Sequence, residues 1–467
     1  MIDDSFGEES ERNHPTLGSG SSDQEASRFR ENRFRYAVVT SLSSKVTTAL
    51  LQIIAMPVAA KSLGIHGFVL YSMLTSLVVW LWVSNIGIGP SLSVSLAAAR
   101  AISDEKEERH LFSSAFYSVM VISSIISILS LILTWYFPVH LIFGNLYQAD
   151  LVVIRWGLSI LVVMFFLQMN ISLFEASLTG YQELHVINLN STFNSIPVIA
   201  AIIWVASYRP SVIGMILAVN APVILCRSLN VWWALWHHPQ TRPSFACFRF
   251  KLCLKLVKSG VSYSLAGAIG HILAHIFPVI LVGRVCAPDR AAAFTAVVNG
   301  IVMASGVYAM LGTPLWPAIA DSAARGEGEW ARKAYRQLLI LCSAYSLLVA
   351  IILIGWGLAL FRLWFHGEIQ PSRALLLAAS GYFLVLGWEQ AHFSILMGFQ
   401  RIKLAALMVL LRSILAIIAT FLLLSPDREY VPFISMTICV LLLDAYPLWL
   451  LVQRHLKMLI QNTHYYS

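Results

Sequence analysis

The sequence predicts an all-α membrane protein with about twelve transmembrane helices. Of its 467 residues, 58% are hydrophobic and only 12% are charged, whereas soluble domains carry roughly 25% charged residues. A single soluble core stops growing near ~250–300 residues. The apolar excess must therefore be spread over many segments long enough to cross a hydrocarbon layer ~30 Å thick. This composition excludes a soluble enzyme.

The N-terminal segment, residues 1–35, is predicted to be a disordered cytoplasmic tail. It is rich in Ser, Gly and acidic residues and cannot bury enough apolar area to fold alone. Arg28, Arg30, Arg33 and Arg35 stand directly before the first long apolar stretch. Arginines in this position mark the cytoplasmic flank of a membrane helix, so we expect the N-terminus to be cytoplasmic.

Twelve apolar segments follow the tail, each long enough to cross the membrane. If the first helix starts inside, Lys and Arg in the predicted cytoplasmic segments outnumber those in the predicted outer segments by twenty to eight. An even number of crossings also places the C-terminal tail, 455–467, in the cytoplasm. The predicted helices are 37–60, 67–90, 111–135, 151–174, 184–206, 211–236, 259–283, 291–317, 336–361, 374–397, 404–424 and 431–452.

A basic cytoplasmic connector, 237–258, divides the chain into two lobes of six helices, 36–236 and 259–454. Two sequence echoes relate the lobes. Pro90-SLSVSLAAA-Arg100 follows the second predicted helix, and Pro314-LWPAIADSAA-Arg325 follows the eighth. Likewise LTGYQ follows the fourth predicted helix and LMGFQ the tenth. Echoes in the same order predict a parallel duplication, and so two pseudo-symmetric lobes with the same orientation across the membrane.

Several short motifs occur in an order that is typical of one family. The first helix ends in AAKSLG and is followed by GFVLY, then by the Gly87-Ile-Gly89-Pro90 exit into a predicted basic loop, and then by the LTGYQ and LMGFQ turns. With these marks the chain resembles, over roughly residues 35–455, the polysaccharide transporter family. Within it the likeness is to the O-antigen flippase (Wzx-type) branch of the multidrug/oligosaccharidyl-lipid/polysaccharide (MOP) exporter superfamily.

The resemblance implies a cargo, a location and partners. Such proteins carry undecaprenyl-diphosphate-linked oligosaccharide from the cytoplasmic to the periplasmic leaflet of the bacterial inner membrane, through a cavity that opens alternately to either side. The lipid bilayer surrounds them, and the polymerase and other polysaccharide-assembly proteins are further partners. Such a transporter is not an enzyme, and the sequence predicts no cofactor and no nucleic-acid partner.

Charged residues inside the predicted helices are few, and each is a candidate for function because burying a charge in a membrane costs at least ~2.5–3.5 kcal/mol. Lys45, Arg227 and Arg412 offer positive charge to a diphosphate, and Arg284 at an outer helix end is placed to receive it on release. Two alternatives stay open. Arg227 is near enough to its helix end to snorkel to the headgroups, and Arg412 can pair with Glu389 or Asp444.

A second group of residues is predicted to couple transport to an ion. His271 and His275 project from one helix face because they lie four residues apart. A proton relay between them and Glu389 or Asp444 fits the titration of His near neutral pH. Two histidines without a third ligand do not predict a metal site.

Two other functions are weighed against a flippase. A cation-coupled multidrug exporter of the same superfamily needs acidic residues in its cavity, and Glu389 and Asp444 keep that reading open. A polytopic glycosyltransferase or ligase of the polysaccharide pathway is less favoured. The longest predicted outer connector, 136–150, carries a single acidic residue, Asp150.

Lys45 provides the first test. We expect Lys45→Ala to abolish transport while the protein still reaches the membrane, and Lys45→Arg to keep part of the activity, because arginine restores a cation for the diphosphate. Surface polysaccharide in complemented cells, normalised to the amount of membrane-inserted protein, measures both. Full activity in the alanine variant would rule out a phosphate-binding role for Lys45.

Overall fold

The computed structural model describes residues 19–79, 87–101, 103–264, 276–312, 328–399 and 402–463, together with Leu81, Leu273, Leu315, Ile319 and Ser322. Every regular element within these residues is helical. The α-helices are α1 (Ser19–Val79), α2 (Ile88–Ala101), α3 (Glu105–Tyr136), α4 (His140–Phe143), α5 (Leu151–Gly180), α6 (Leu184–Tyr208), α7 (Val212–His237), α8 (Phe250–Ser264), α9 (Phe277–Val285), α10 (Pro288–Gly312), α11 (Gly328–Trp364), α12 (Arg373–Gly398), α13 (Ile402–Leu423), α14 (Val431–Cys439) and α15 (Ala445–Thr463).

The helices have the length and composition of membrane spans. Nine stretches within the described residues are long and apolar enough to cross a bilayer. Many of their large apolar side chains are exposed on the outside of the bundle, which is the surface that lipid tails cover. The prediction of an all-α polytopic membrane protein is therefore confirmed, while the count of twelve crossings stays a prediction.

The helices pack as two groups. In the first group α6 packs on α1 and α7, and α5 packs on α3 and α7. In the second group α12 packs on α10, α11 and α14, and α13 packs on α14. We call the end where α3 begins and α7 ends the basic end, after its Lys and Arg residues. The opposite end, where α3 ends and α5 begins, is the far end.

Local sequence explains several helix boundaries. Gly64 has a positive φ of 68° inside α1, a conformation that favours glycine, and it separates the two stretches of that helix. Asp104 caps α3, because its side chain accepts a hydrogen bond from the Glu107 N–H at 3.0 Å. Gly180 ends α5 against α2, where a Cβ would lie 2.8 Å from the Ser93 carbonyl oxygen. The glycine of the LTGYQ motif therefore permits close helix packing.

The structure differs from the sequence prediction in the bounds of some helices. The loop predicted after residue 90 is wrong, because Ile88–Ala101 is helical. Pro90 lies in the first turn of this helix, where its missing N–H leaves no hydrogen bond unmade. α8 begins at Phe250, inside the segment assigned to the connector, and α1 begins at Ser19, inside the segment assigned to the tail.

The two groups contact each other through α1, which packs on both α9 and α10. Met73 of α1 lies directly against Gly283 of α9, and the Phe68 ring meets the Phe365 ring at a centroid distance of 6.4 Å. These contacts lie towards the far end. One polar contact joins the groups as well, since the Trp364 Nε1–H donates to the Ile53 carbonyl oxygen at 2.8 Å.

Candidate functional site

Three charged side chains meet inside the second group of helices. Arg412 of α13 donates from Nη1 to Oε2 of Glu389 on α12, and its Nε lies 3.2 Å from Oδ2 of Asp444. All three residues are almost fully buried, with exposed fractions of 3%, 4% and 0%. We call them the Arg412 cluster. The sequence left open whether Arg412 pairs with Glu389 or Asp444, and the structure shows that it contacts both carboxylates.

A short π-helical segment, Val440–Asp444, sets the position of Asp444. It joins α14 to α15, and such π turns are frequent at functional sites. Neither Asp444 carboxylate oxygen makes a well-directed hydrogen bond within the described residues. The contact with Arg412 is therefore electrostatic, and the carboxylate keeps free acceptor positions in a buried place.

The charges of the Arg412 cluster do not balance. Two carboxylates face one guanidinium, so that the cluster carries a formal charge of −1 when both are ionised. An unpaired charge in an apolar interior is costly. Binding one proton or one monovalent cation removes the excess, and this is the chemistry that the arrangement offers.

A second charged site lies in the first group of helices, around Arg227 of α7. Its Nε donates to Oε1 of Glu175 on α5 at 2.8 Å, and its Nη2 donates to Oε2 of the same carboxylate at 2.5 Å. Its Nη1 donates to Gln168 Oε1 at 3.3 Å, and Asn230 Nδ2 donates to Glu175 Oε1 at 2.9 Å. We call these residues the Arg227 network. Its charged pair is neutral overall.

The two sites differ in access. The side chains of Arg227 and Glu175 are 21% and 15% exposed, against 4% and 5% for Arg412 and Glu389. An arginine has five N–H donors, and the network occupies three of those on Arg227. Two remain for a ligand, whereas Arg412 is enclosed by its carboxylates. Arg227 is therefore partly open to its surroundings, whereas Arg412 is closed off.

The remaining predicted residues fall in different places. Arg284 ends α9 with an exposed side chain that packs on the far-end loop of the first group, where a Cβ on Gly144 would lie 3.2 Å from Arg284 Cγ. It makes no ion pair within the part of the chain that the structure describes. Lys45 belongs to α1, but its side chain lies outside the described residues, as do His271 and His275 altogether.

Arg290, a neighbour of Arg284, has a structural contact. Its Nη1 donates to Glu429 Oε2 at 3.0 Å and to the Asp427 carbonyl at 2.8 Å. Ser372 donates to the other oxygen of Glu429 at 2.6 Å. These bonds fasten the far-end loops of the second group to one another.

Cys286 lies close to these loops. Burial of its thiol raises the pKa of Cys286 to about 12, so that this cysteine stays protonated.

The basic end contains a polar network that sequence reasoning missed. The Tyr181 hydroxyl donates to Glu108 at 2.9 Å, its ring stacks on His238, and the Arg100 guanidinium lies 5.0 Å from its ring centroid. Glu183 accepts from Trp233 Nε1 at 3.0 Å. Burial and the bond to Glu108 raise the pKa of Tyr181, so the phenol stays a donor. The sequence did contain a signal for this network, because Tyr181 belongs to the LTGYQ motif.

Metal binding gains no support from the described residues, which contain no group of three His, Cys, Asp or Glu side chains suited to a metal ion.

Solved structures with the same fold are transporters of one superfamily. The chain matches an inward-facing multidrug resistance MATE family transporter of the MOP superfamily with a TM-score of 0.73 at 13% identity, covering 91% of this chain and 99% of the other. An outward-facing MATE structure matches with a TM-score of 0.61 at 13% identity, covering 92% and 97%. A MOP superfamily transporter from Pyrococcus furiosus, whose binding pocket is described as having reverse polarity, matches with a TM-score of 0.65 at 12% identity, covering 91% and 96%.

The chain therefore has the fold of these transporters and several helices that can span a membrane. The family model described as polysaccharide biosynthesis protein matches residues 37–323, more than half of the chain. The protein belongs to this family, and the recognition made from its motifs is confirmed. No curated protein sequence matches the chain.

The Arg412 cluster yields a stability prediction. Arg412→Met leaves two carboxylates buried without a cation and should lower the free energy of unfolding by about 3–5 kcal/mol. Neutralising the whole cluster, as Arg412→Met with Glu389→Gln and Asp444→Asn, should recover most of this loss. Thermal unfolding of the purified protein in detergent measures both variants. Arg227→Met is the comparison and should cost less, because Glu175 keeps its contact with Asn230 and partial access to water. Equal stability of Arg412→Met and the wild type would contradict this account.

Proposed function

We propose that the protein is a flippase that moves undecaprenyl-diphosphate-linked oligosaccharide from the cytoplasmic to the periplasmic leaflet by alternating access. One observation carries the proposal, namely the membership of the polysaccharide biosynthesis protein family in a chain with a transporter fold. The polysaccharide pathway needs such a step, because a charged diphosphate and a sugar chain cannot cross hydrocarbon unaided. The protein acts as a transporter in this proposal and not as an enzyme.

Among the described residues, contacts between the two groups close the far end, as expected of a form whose cavity opens at the basic end. The groups of helices meet towards the far end, through Met73 against Gly283 and Phe68 against Phe365. Since the basic end is predicted to be cytoplasmic by its Lys and Arg content, this form receives a cargo made inside the cell. The proposal places both termini in the cytoplasm and the protein in the inner membrane, next to the polymerase and other assembly proteins. The proposal also retains the two predicted six-helix lobes, 36–236 and 259–454.

Arg227 is the best supported contact for the diphosphate among the described residues. It is partly exposed, and it keeps two N–H donors beyond those in its network. Guanidinium groups bind phosphate oxygens through paired, charge-assisted hydrogen bonds. Lys45 completes the entry site in this proposal, and Arg284, unpaired at the far end, is placed to take the diphosphate on release.

The Arg412 cluster supplies the coupling site in the proposed mechanism. Asp444 is buried with free acceptor positions, and a proton or cation bound there removes the excess charge of the cluster. This event alters the packing of α12, α13 and the π-helical segment Val440–Asp444, the elements that hold the cluster. His271 and His275 remain part of the proposed proton path.

A multidrug exporter is the second candidate, because the excess carboxylate of the Arg412 cluster also suits a cationic drug. The low exposure of these carboxylates argues against an exporter. Glu389 and Asp444 are 4% and 0% exposed, so that the excess negative charge is turned away from any cargo, while the more exposed Arg227–Glu175 pair is neutral and keeps two free N–H donors.

Cells that lack the protein separate the candidates. We expect them to accumulate intact lipid-linked oligosaccharide in the cytoplasmic leaflet and to lose surface polysaccharide, because the cargo is made but not translocated. The measurement assigns the lipid-linked intermediate to one leaflet by its accessibility to a membrane-impermeant sugar-modifying enzyme in inverted and right-side-out vesicles. Complementation with the wild-type gene is the control. Normal polymer together with sensitivity to cationic drugs would replace the flippase by the exporter.

A further inference from the structure

The charge of the segment around α8 is one-sided. No Asp or Glu occurs between Glu183 and Asp289. The connector and α8 nevertheless carry Arg242, Arg249 and three lysines. In the described part of this segment, Arg249 is the one cation that approaches a carboxylate, that of Glu107 at 3.9 Å. Lys251, Lys255 and Lys258 are exposed and make no ion pair within the described residues.

The lysines form one strip along α8. At 3.6 residues per turn, Lys251, Lys255 and Lys258 fall within about 60° of the helix circumference. Beside the strip lie Phe250 and Leu254, which are 68% and 59% exposed. The opposite face is used for packing, because Leu256 is buried and Leu252 packs against the core. The helix thus has a protein face, an exposed apolar edge and a cationic strip.

The position of α8 places this surface at the level of a membrane interface. The Arg249 N–H donates to the Ser114 hydroxyl at 2.9 Å, and the Ser244 N–H donates to the Ser113 hydroxyl at 3.2 Å. These bonds hold the start of α8 beside the third turn of α3. From there α8 packs on α2 and α3 of the first group and on α13 of the second.

We propose that α8 is a binding surface for the phosphate headgroups of anionic lipids in the leaflet at the basic end. Phe250 and Leu254 enter the upper acyl region, as the apolar edge of an interfacial helix does. The three lysines then meet the headgroup phosphates, and each lysine near an anionic surface adds to the attraction. Since α8 contacts helices of both groups, lipid charge acts on the junction between them.

Lipid titration of the purified full-length protein, followed by native mass spectrometry, tests this surface. We expect phosphatidylglycerol to bind more tightly than phosphatidylcholine. The triple variant Lys251→Gln, Lys255→Gln, Lys258→Gln should lose about tenfold or more in phosphatidylglycerol affinity and keep its phosphatidylcholine affinity. The corresponding triple Lys→Arg variant should bind like the wild type, which controls for folding.

The matched control removes three other exposed cations at the basic end, as Arg332→Gln, Lys333→Gln, Arg336→Gln in α11. It should leave phosphatidylglycerol binding unchanged. An equal loss in both glutamine variants would reduce the effect to net charge and overturn the proposal. Unchanged binding in the α8 variant would also overturn it. Lipid binding and flippase activity are measured separately in the α8 variant. A change in one without a change in the other shows which of the two proposals has failed.

A different observation concerns the contact between the groups. Pro57 has no N–H, so the carbonyl of Ile53, four residues earlier, loses its usual helical partner. In hydrocarbon no water replaces that bond. The Trp364 indole N–H of the second group donates to this carbonyl at 2.8 Å. We infer that the pair is a latch that stabilises the form in which the groups meet towards the far end.

Distance measurements between spin labels test the latch. Labels at Tyr208→Cys and Leu422→Cys, exposed on the two groups, are introduced with the native cysteines replaced by alanine. Trp364→Phe keeps the ring but removes the donor, and it should raise the population with separated far ends about two- to tenfold. Trp356→Phe, an exposed tryptophan on the same helix, should change nothing. In a Pro57→Ala background, where Ile53 regains a helical donor, the effect of Trp364→Phe should shrink. Identical distributions for Trp364→Phe and Trp356→Phe would overturn the latch.

Discussion

The need to satisfy every polar group inside hydrocarbon shapes this structure at each level. Backbone groups are paired within the helices, and many Ser and Thr hydroxyls donate to a carbonyl one turn earlier, as Ser72 does to Phe68 at 2.8 Å. Where a proline breaks this pairing, another group has to respond. At Ile53 the response comes from the other group of helices, through Trp364. A local property of one residue, the missing N–H of Pro57, thereby becomes a contact between two halves of the molecule.

The same constraint acts on charged side chains, with different results in the two groups. Arg227 and Glu175 form a neutral pair that retains some access to water and is extended by Gln168 and Asn230. Arg412 instead faces two carboxylates, and all three side chains are buried. The charges of the first arrangement balance without a ligand, and its arginine still has N–H donors to offer one. The second is satisfied only when a further positive charge joins it, because one cation cannot neutralise two carboxylates.

The sequence predicted the class of the fold well, because hydrophobic length is a property of single segments. It also singled out the three charged residues that the structure brings together at Arg412, since a charge in an apolar run is conspicuous. It did not predict the partner of Arg227, because Glu175 lies 52 residues away and only packing of α5 on α7 brings them together. It placed a loop after residue 90, within the helix Ile88–Ala101, because Pro90 was interpreted as the end of one helix and not as the first turn of the next.

The two charged sites explain why access and total charge must be considered separately. Counted over the two charged sites, the carboxylates of Glu175, Glu389 and Asp444 outnumber the guanidiniums of Arg227 and Arg412, which on number alone favours a cationic cargo. Exposure reverses that conclusion. The excess carboxylate lies in the Arg412 cluster, where the side chains are at most 5% exposed, and the strength of a charge felt by a cargo depends on contact and desolvation. In the proposed flippase, the cargo meets an arginine with free donors, while the negative excess is left for a small ion that can enter a closed site. The proposal thus assigns an anionic cargo and a cationic coupling ion to different residues of one chain.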